Sequence, residues 1–247
     1  MRYIGIDLAW RMKPAPSERR SAVVALDEQA RLIYYKDCTT DREILEAVDK
    51  LAMQGCVIGV DAPIIVPPDT EGRRICEGML MEMEVHIMPT DPKRFEEWYG
   101  GCRGVVLVEL LQEGDRGYEV VDRLPAKAGK AIVETYPTGS WNRLFRDVPK
   151  FKGVPMEEKR KALLRSKDLI KWGLPPRYPG VKMDILDKTR DELGRLTGLE
   201  LDIFGDALDA VMSAYTVMLW AKDPSSCEVV GDLKSGFILL PKAPSTR

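Results

Sequence analysis

Two stretches decide the reading: Ile4-Gly5-Ile6-Asp7 and Ile58-Gly59-Val60-Asp61. Each is a short apolar run that ends on an aspartate, with a glycine two residues before the acid. Nearly all-apolar runs of this length suit central strands covered on both faces. A third run, Ala131-Ile132-Val133-Glu134, also ends on a carboxylate. Placing an ionised carboxylate in such a run costs several kcal/mol unless a partner compensates it. The carboxyl ends of the strands in an α/β sheet are where ligands bind. The three acids are therefore expected to converge on one edge.

Working outward, strands are expected at 3–10, 21–27 and 31–38, the first two separated by the Pro-rich loop MKPAPSERR. The spacing predicts a helix over 41–54, opened by a Thr40-x-x-Glu43 capping box, with Ile44, Leu45, Val48, Leu51 and Ala52 on one face. A central strand follows at 56–63. Residues 70–128 read as an insertion. Within it, Ile75, Met79, Met83 and Ile87 predict an apolar core stripe on a helix over 71–88. Asp91-Pro92 opens a second helix through Trp98, a third spans 105–112, and 118–122 is an added strand. A further strand at 130–137 stops at a proline. Helical periods run over 157–172 and 183–197, with Pro175, Pro176 and Pro179 between them. An apolar helix spans 206–222, and 227–230 with 236–240 form a C-terminal hairpin. No long repeat, low-complexity segment or linker is present, so one mixed α/β domain over 1–247 is expected.

Composition narrows the chemistry. The single histidine, His86, would have to serve in any Ser-His-Asp triad, Cys-His dyad or histidine-rich zinc site. It reads instead as a surface or loop residue. Five cysteines, an odd number with no Cys-x-x-Cys pair, argue for reduced, mostly buried thiols. The N-terminus lacks a secretory pattern, and the apolar run from Ala207 to Ala221 is interrupted and short of the ~20 residues a membrane helix needs. A cytoplasmic protein without a membrane partner is expected. One Asn and three Gln lean towards a thermophilic source, while eleven Met lean the other way. Chemistry is most easily built from carboxylates.

A fourth acidic feature is Gly205-Asp206-Ala207-Leu208-Asp209-Ala210, at the start of the apolar helix. Asp206 and Asp209 share a helical face. Asp206 in a first turn is explained by capping and the helix dipole, whereas Asp209 lies among apolar residues and points to function. Crowded carboxylates repel, about 4 kcal/mol for a pair ~4 Å apart at an effective dielectric of ~20. A divalent cation removes that cost, and all-oxygen ligands favour Mg²⁺ or Mn²⁺ over zinc. Two such ions would clamp the attacking and leaving oxygens of a phosphoryl displacement. No organic cofactor is implied.

The segments GIDLAW, IGVDAP with RRICE after it, VETYPTGS, the Lys152 region, GDALDA and GFILLP resemble, in this order, the domain of unknown function 429 family. That family is described as predicted nucleases of RNase H-like fold, and the resemblance spans nearly the whole chain. It implies a five-stranded mixed sheet of order 3-2-1-4-5 with helices on both faces. It also implies a metal site using Asp7, Asp61 or Glu134, and Asp209, with Asp206 beside it. The first and fourth strands of that fold are parallel neighbours, which would set Asp7 and Asp61 side by side. The 70–128 insertion has no counterpart in a minimal RNase H domain.

Supporting residues come next. Arg73 and Arg74, followed by Glu77, could face the site and contact phosphate; a solvated helix face is the plainer reading of such a run. Lys150 and Lys152 follow the Glu134 strand, with Lys152 the candidate for positioning phosphate. Tyr136 reads as packing. Between Arg143 and Arg177, eleven basic against four acidic residues give +7, with Trp141, Phe145, Phe151, Trp172 and Tyr178 in or beside the stretch. Basic residues with aromatics suit phosphate contact and base stacking; Lys-rich outer helix faces look similar. The near-neutral chain, formally -2, is thus an average over unlike regions.

The expectation is a metal-dependent phosphodiester hydrolase, a structure-selective nuclease on DNA or RNA. Asp7, Asp61, Glu134 and Asp209 would hold two metal ions, assisted by Asp206. Two alternatives stay open. One is a catalytically silent nucleic-acid-binding module on the same fold. The other is an ATP-using enzyme of the actin and sugar-kinase branch, although the chain has no P-loop.

Overall fold

The computed structural model describes residues 1–12, 20–52, 55–126, 129–145, 147–174 and 178–243. Most of the MKPAPSERR loop, Arg146, and Pro175 to Arg177 lie outside the described residues. Six strands form the main sheet: β1 (Arg2–Asp7), β2 (Ser21–Leu26), β3 (Leu32–Cys38), β4 (Cys56–Asp61), β5 (Tyr118–Val120) and β6 (Lys130–Glu134). Their order is β3-β2-β1-β4-β6-β5. The first three strands run antiparallel to one another, and β4, β6 and β5 continue from β1 in parallel. The expected five-strand order is present with β6 as its fifth member. The count is corrected to six, because the insertion adds β5 at the edge.

Alternation along the strands separates two cores. Ile4, Ile6, Ile58, Val60 and Ile132 face one layer with α1 (Asp41–Leu51) and α4 (Arg103–Gln112). Tyr3, Val24, Val57 and Val133 face the other, which is filled by α8 (Gly198–Lys222). The two glycines of the opening motif explain how close α8 lies. A Cβ on Gly5 would sit 1.9 Å from the carbonyl oxygen of Ala210 and 2.6 Å from the amide of Ala214. A Cβ on Gly59 would sit 3.0 Å from the carbonyl oxygen of Ser213. The helix backbone therefore packs directly on β1 and β4, and only glycine permits it.

Helix α8 begins two turns before the expected start at 206. Thr197 and Glu200 form a capping box there, and the 25-residue helix is about 37 Å long. Asp206 is consequently in mid-helix, and the capping explanation for it fails. The insertion supplies α2 (Ile75–Glu82), α3 (Pro92–Tyr99) and α4. The expected Met core stripe is reversed: Ile75 is 66% exposed, and Met79 and Met83 are exposed too. Cys76 and Leu80 are buried instead, packed with Val230, Ile238 and Leu240 of the C-terminal hairpin, β7 (Cys227–Asp232) and β8 (Gly236–Pro241).

Pro137, expected to end a strand, opens α5 (Pro137–Leu144), where a first-turn proline loses no hydrogen bond. Helix α6 (Met156–Asp168) runs on into a π-helical turn, Leu169–Gly173. The helix expected over 183–197 shrinks to α7 (Arg190–Arg195), opened by a Thr189/Glu192 capping box. All five cysteines are unbonded, four of them buried. Among the described residues no helix is long and apolar enough to cross a membrane.

Candidate active site

Strand register brings the twin aspartates together. Gly5 lies opposite Gly59 and Asp7 opposite Asp61 in the parallel β1/β4 pair. Gly5 and Asp7 are two apart, so the acid leaves the sheet on the face where α8 lies against the glycine. Helix α8 answers with Asp206 and Asp209, one turn apart. Asp7, Asp206 and Asp209 are buried, and Asp61 is half-buried. The close approach at Gly5 thus does two things: it seals the core and it sets two pairs of acids against each other.

One cation stands among them. Lys152 Nζ lies 2.6 Å from Asp209 Oδ2 and 3.7 Å from Asp206 Oδ1. The other oxygen of Asp209 accepts a hydrogen bond from Trp141 Nε1 at 2.9 Å. Asp7 Oδ2 is buried with no hydrogen-bond partner. Burial holds the Asp7 carboxyl well above the ordinary carboxylate range; Lys152 opposes this, and Asp206, Asp61 and Asp209 reinforce it. Burial likewise pushes Asp61 up to about 8, against the pull of Lys152 and with the repulsion of Asp209, Glu134 and Asp206. Desolvation works against the Lys152 ammonium, but the four aspartates outweigh it and hold Lys152 above the ordinary lysine range. One ammonium cannot neutralise four carboxylates, and the excess of like charge favours proton uptake at Asp7 and Asp61.

Glu134 does not join this quartet. It pairs in register with Val60, one residue out of step with Asp61, so it leaves the sheet on the opposite face. There Arg74 grips it with two hydrogen bonds, Nη1 to Oε2 at 2.7 Å and Nη2 to Oε1 at 2.6 Å, and the amide of Ile64 donates to Oε2 at 3.0 Å. Burial raises the Glu134 carboxyl, and Arg74 and the Ile64 amide counter it. Arg74 also donates to Glu77 and to the carbonyl of Ile65. It is 2% exposed, so the expected phosphate contact is corrected: its guanidinium braces the insertion against β6. The signal for Glu134 was available in its run, which has Ile132 rather than glycine two residues before the acid.

The remaining expected residues separate by exposure. Arg73 is exposed, donates to the sulfur of Met81, and does not line the cavity at the acids. Lys150 is exposed. Trp141, Phe145 and Phe151 are buried, which removes them as stacking surfaces, whereas Trp172 is 78% exposed. Several bases of the +7 stretch are paired: Arg143 with Glu228, Lys159 with Asp202, and Lys167 and Lys171 with Asp187. His86 is exposed and its carbonyl accepts from Tyr136 Oη at 2.6 Å.

The acids open onto a cavity of about 600 Å³ lined by Asp7, Asp61, Asp206, Glu134 and Lys152, and by an aromatic group that sequence reasoning missed. Trp10 stacks on Phe95 with centroids 5.4 Å apart, and Tyr99 meets both rings edge-on at 5.4 and 5.3 Å. Arg103, buried on α4, holds the segment that carries Trp10. It donates to the carbonyl of Ala9 at 2.7 Å and to Asp41 at 2.9 Å.

The donor chemistry suits a hard divalent cation: all the acids offer oxygen, and Asp7 Oδ2 is buried without a partner. Among the described residues, no three acidic, cysteine or histidine side chains are gathered closely enough to hold an ion as they stand. Lys152 supplies the positive charge in that arrangement. Ligation would therefore require Lys152 to yield Asp209.

The fold and site define a mixed α/β protein with an aspartate quartet, three of its members buried, where the carboxyl ends of two parallel strands meet helix α8. The chain belongs to the family described as Protein of unknown function (DUF429), whose model matches residues 5–232. It matches none of the curated proteins or solved structures with which it was compared.

Proposed function

We propose that the protein is a divalent-metal-dependent phosphodiester hydrolase acting on nucleic acid, DNA or RNA. The observation that carries this reading is the convergence of Asp7, Asp61 and Asp206 on one cavity wall, with Asp209 behind them against Lys152 and a buried oxygen of Asp7 left without a partner. Four carboxylates against one ammonium is an arrangement that costs stability unless something cationic binds there. Asp7, Asp61 and Asp209 would hold Mg²⁺ or Mn²⁺, with Asp206 assisting. When bound, such ions polarise a phosphoryl oxygen and activate water at neutral pH, which a chain with one exposed histidine has no other evident means to do.

The residues of the chain have separate tasks. Trp141 fixes one oxygen of Asp209 and leaves the other to Lys152, which lines the cavity. Lys152, 41% exposed along its side chain, can pair with Asp209 or with a substrate phosphate, so that it offsets part of the acidic charge at rest and positions phosphate in use. Glu134 and Arg74 hold α2 against β6 and shape the wall without contributing a ligand. The RNase H-like character implied by the resemblance fits the strand order and the paired aspartates.

The test is hydrolysis of a panel of single-stranded, duplex and branched DNA and RNA in Mg²⁺ or Mn²⁺. The wild-type chain should cleave at least one of them, and Asp7→Asn should abolish cleavage while remaining folded. Full metal-dependent activity in Asp7→Asn would refute the assignment. Salt-sensitive binding without any product would favour the silent binding module instead.

A further inference from the structure

The aromatic group has no part in the metal chemistry, and its place argues for what the cavity holds. Trp10, Phe95 and Tyr99 come from two distant parts of the chain, the end of β1 and helix α3, yet form one mutually packed patch of the cavity lining. Their positions are fixed by backbone as well as ring contacts: the amide of Met12 donates to the carbonyl of Tyr99 at 3.0 Å. Trp10 is only three residues beyond Asp7, so their Cα atoms are at most about 10 Å apart. A packed aromatic patch and an acidic patch thus share one half-open cavity. Ordering them costs a ligand nothing at binding.

Size decides between substrates. A cavity of about 600 Å³ lies within the roughly 300–1,000 Å³ of pockets that enclose one drug-sized molecule. One nucleotide is of that size, and a stretch of duplex is far larger. Aromatic side chains bind bases through their faces with little regard to sequence, and this mode needs the base unstacked from its neighbours. Arg20 also lines the cavity and is exposed, which suits a backbone that enters from solvent.

We infer that the cavity takes an unpaired nucleotide of a single strand, its base against the Trp10 patch and its phosphate at the aspartates and Lys152. This rests on the hydrolytic reading of the same cavity and narrows it: the substrate class is single-stranded nucleic acid. Helix α3 belongs to the insertion, which therefore acts as a wall that selects unpaired nucleotides.

Fluorescence anisotropy of the full chain in Mg²⁺ tests this, with short labelled single-stranded DNA and RNA oligonucleotides and their blunt duplexes. Single strands should bind more tightly than duplexes of the same sequence. Trp10→Leu, which keeps apolar packing and removes the aromatic face, should weaken single-strand binding roughly 5- to 150-fold, the equivalent of about 1–3 kcal/mol per stacked base. Trp10→Phe should restore most of the affinity. Duplex bound as tightly as single strand, or a folded Trp10→Leu that binds like wild type, would overturn the inference. Cleavage of the same oligonucleotides, followed in parallel, separates the two claims. Trp10-dependent binding with no hydrolysis in Mg²⁺ or Mn²⁺ removes the hydrolase reading and keeps the inference. Hydrolysis that prefers duplex, or is indifferent to Trp10→Leu, does the reverse.

Discussion

Asp7→Asn should make the metal-free protein more stable at neutral pH while removing a residue proposed for its chemistry. Asp7 is 8% exposed, its Oδ2 has no partner, and Asp61 lies directly opposite on the neighbouring strand. Both carboxyls are raised in the fold, Asp61 to about 8, against about 3.9 in an unfolded chain. Between those values the native state binds more protons than the unfolded state, so stability falls as pH rises from about 4 to about 8. Keeping one carboxyl protonated at pH 7 costs roughly 1.36 kcal/mol for each of about 3.1 pH units, close to 4 kcal/mol. That is a ceiling, because asparagine also forgoes the attraction of Asp7 to Lys152. A net gain of about 1–3 kcal/mol follows, or roughly 2–10 °C in Tm for a chain of this length. Thermal melts in EDTA at pH 5 and pH 8.5 measure it, and the gain should be larger at pH 8.5. A variant that melts below wild type at pH 8.5, or gains equally at both pH values, would refute the reasoning.

Further outcomes can be checked alongside. Mg²⁺ or Mn²⁺ should raise the Tm of wild type, by about 2.7 kcal/mol of stabilisation at 100 times Kd, and calorimetry should show this rise lost in Asp7→Asn with Asp209→Asn. Gly5→Ala should cost 3 kcal/mol or more by denaturant melts, since its Cβ would meet the Ala210 carbonyl at 1.9 Å and overpacking alone costs about 1–3 kcal/mol. Glu134→Gln takes from Arg74 one of its two buried carboxylate partners and leaves Glu77, so it should cost about 1.5–3 kcal/mol in the same melts. Leu80→Ala should cost about 2–5 kcal/mol, whereas Met79→Gln on the same helix should stay within about 0.5 kcal/mol because Met79 is exposed.

The central sheet was legible because its strands announce themselves by composition, and the repeated Gly-x-Asp motif carries its own reason. Glycine two before the acid admits the helix that brings Asp206 and Asp209. Glu134 lies on the other face because a one-residue difference in register reverses a side chain, and its sign in the sequence is Ile132 where the other two runs have glycine. The apolar period on α2 misled because a stripe at four-residue spacing does not say which side meets the hairpin. Arg74 reads as part of a solvated helix face until its distant partner Glu134 is placed beside it, and the pairing of Arg103 with Asp41 likewise spans too much sequence to be read locally. The aromatic patch was invisible for the same reason, since Trp10 meets Phe95 and Tyr99 only once the insertion folds back over the end of β1.

The most direct measurement is the anomalous signal of Mn²⁺ soaked into crystals of the wild-type chain. The account predicts density for Mn²⁺ between the Asp7, Asp61 and Asp209 carboxylates, with Lys152 Nζ moved from its 2.6 Å contact with Asp209. Crystals that keep Lys152 on Asp209 and show no Mn²⁺ among these aspartates at saturating concentration would contradict it.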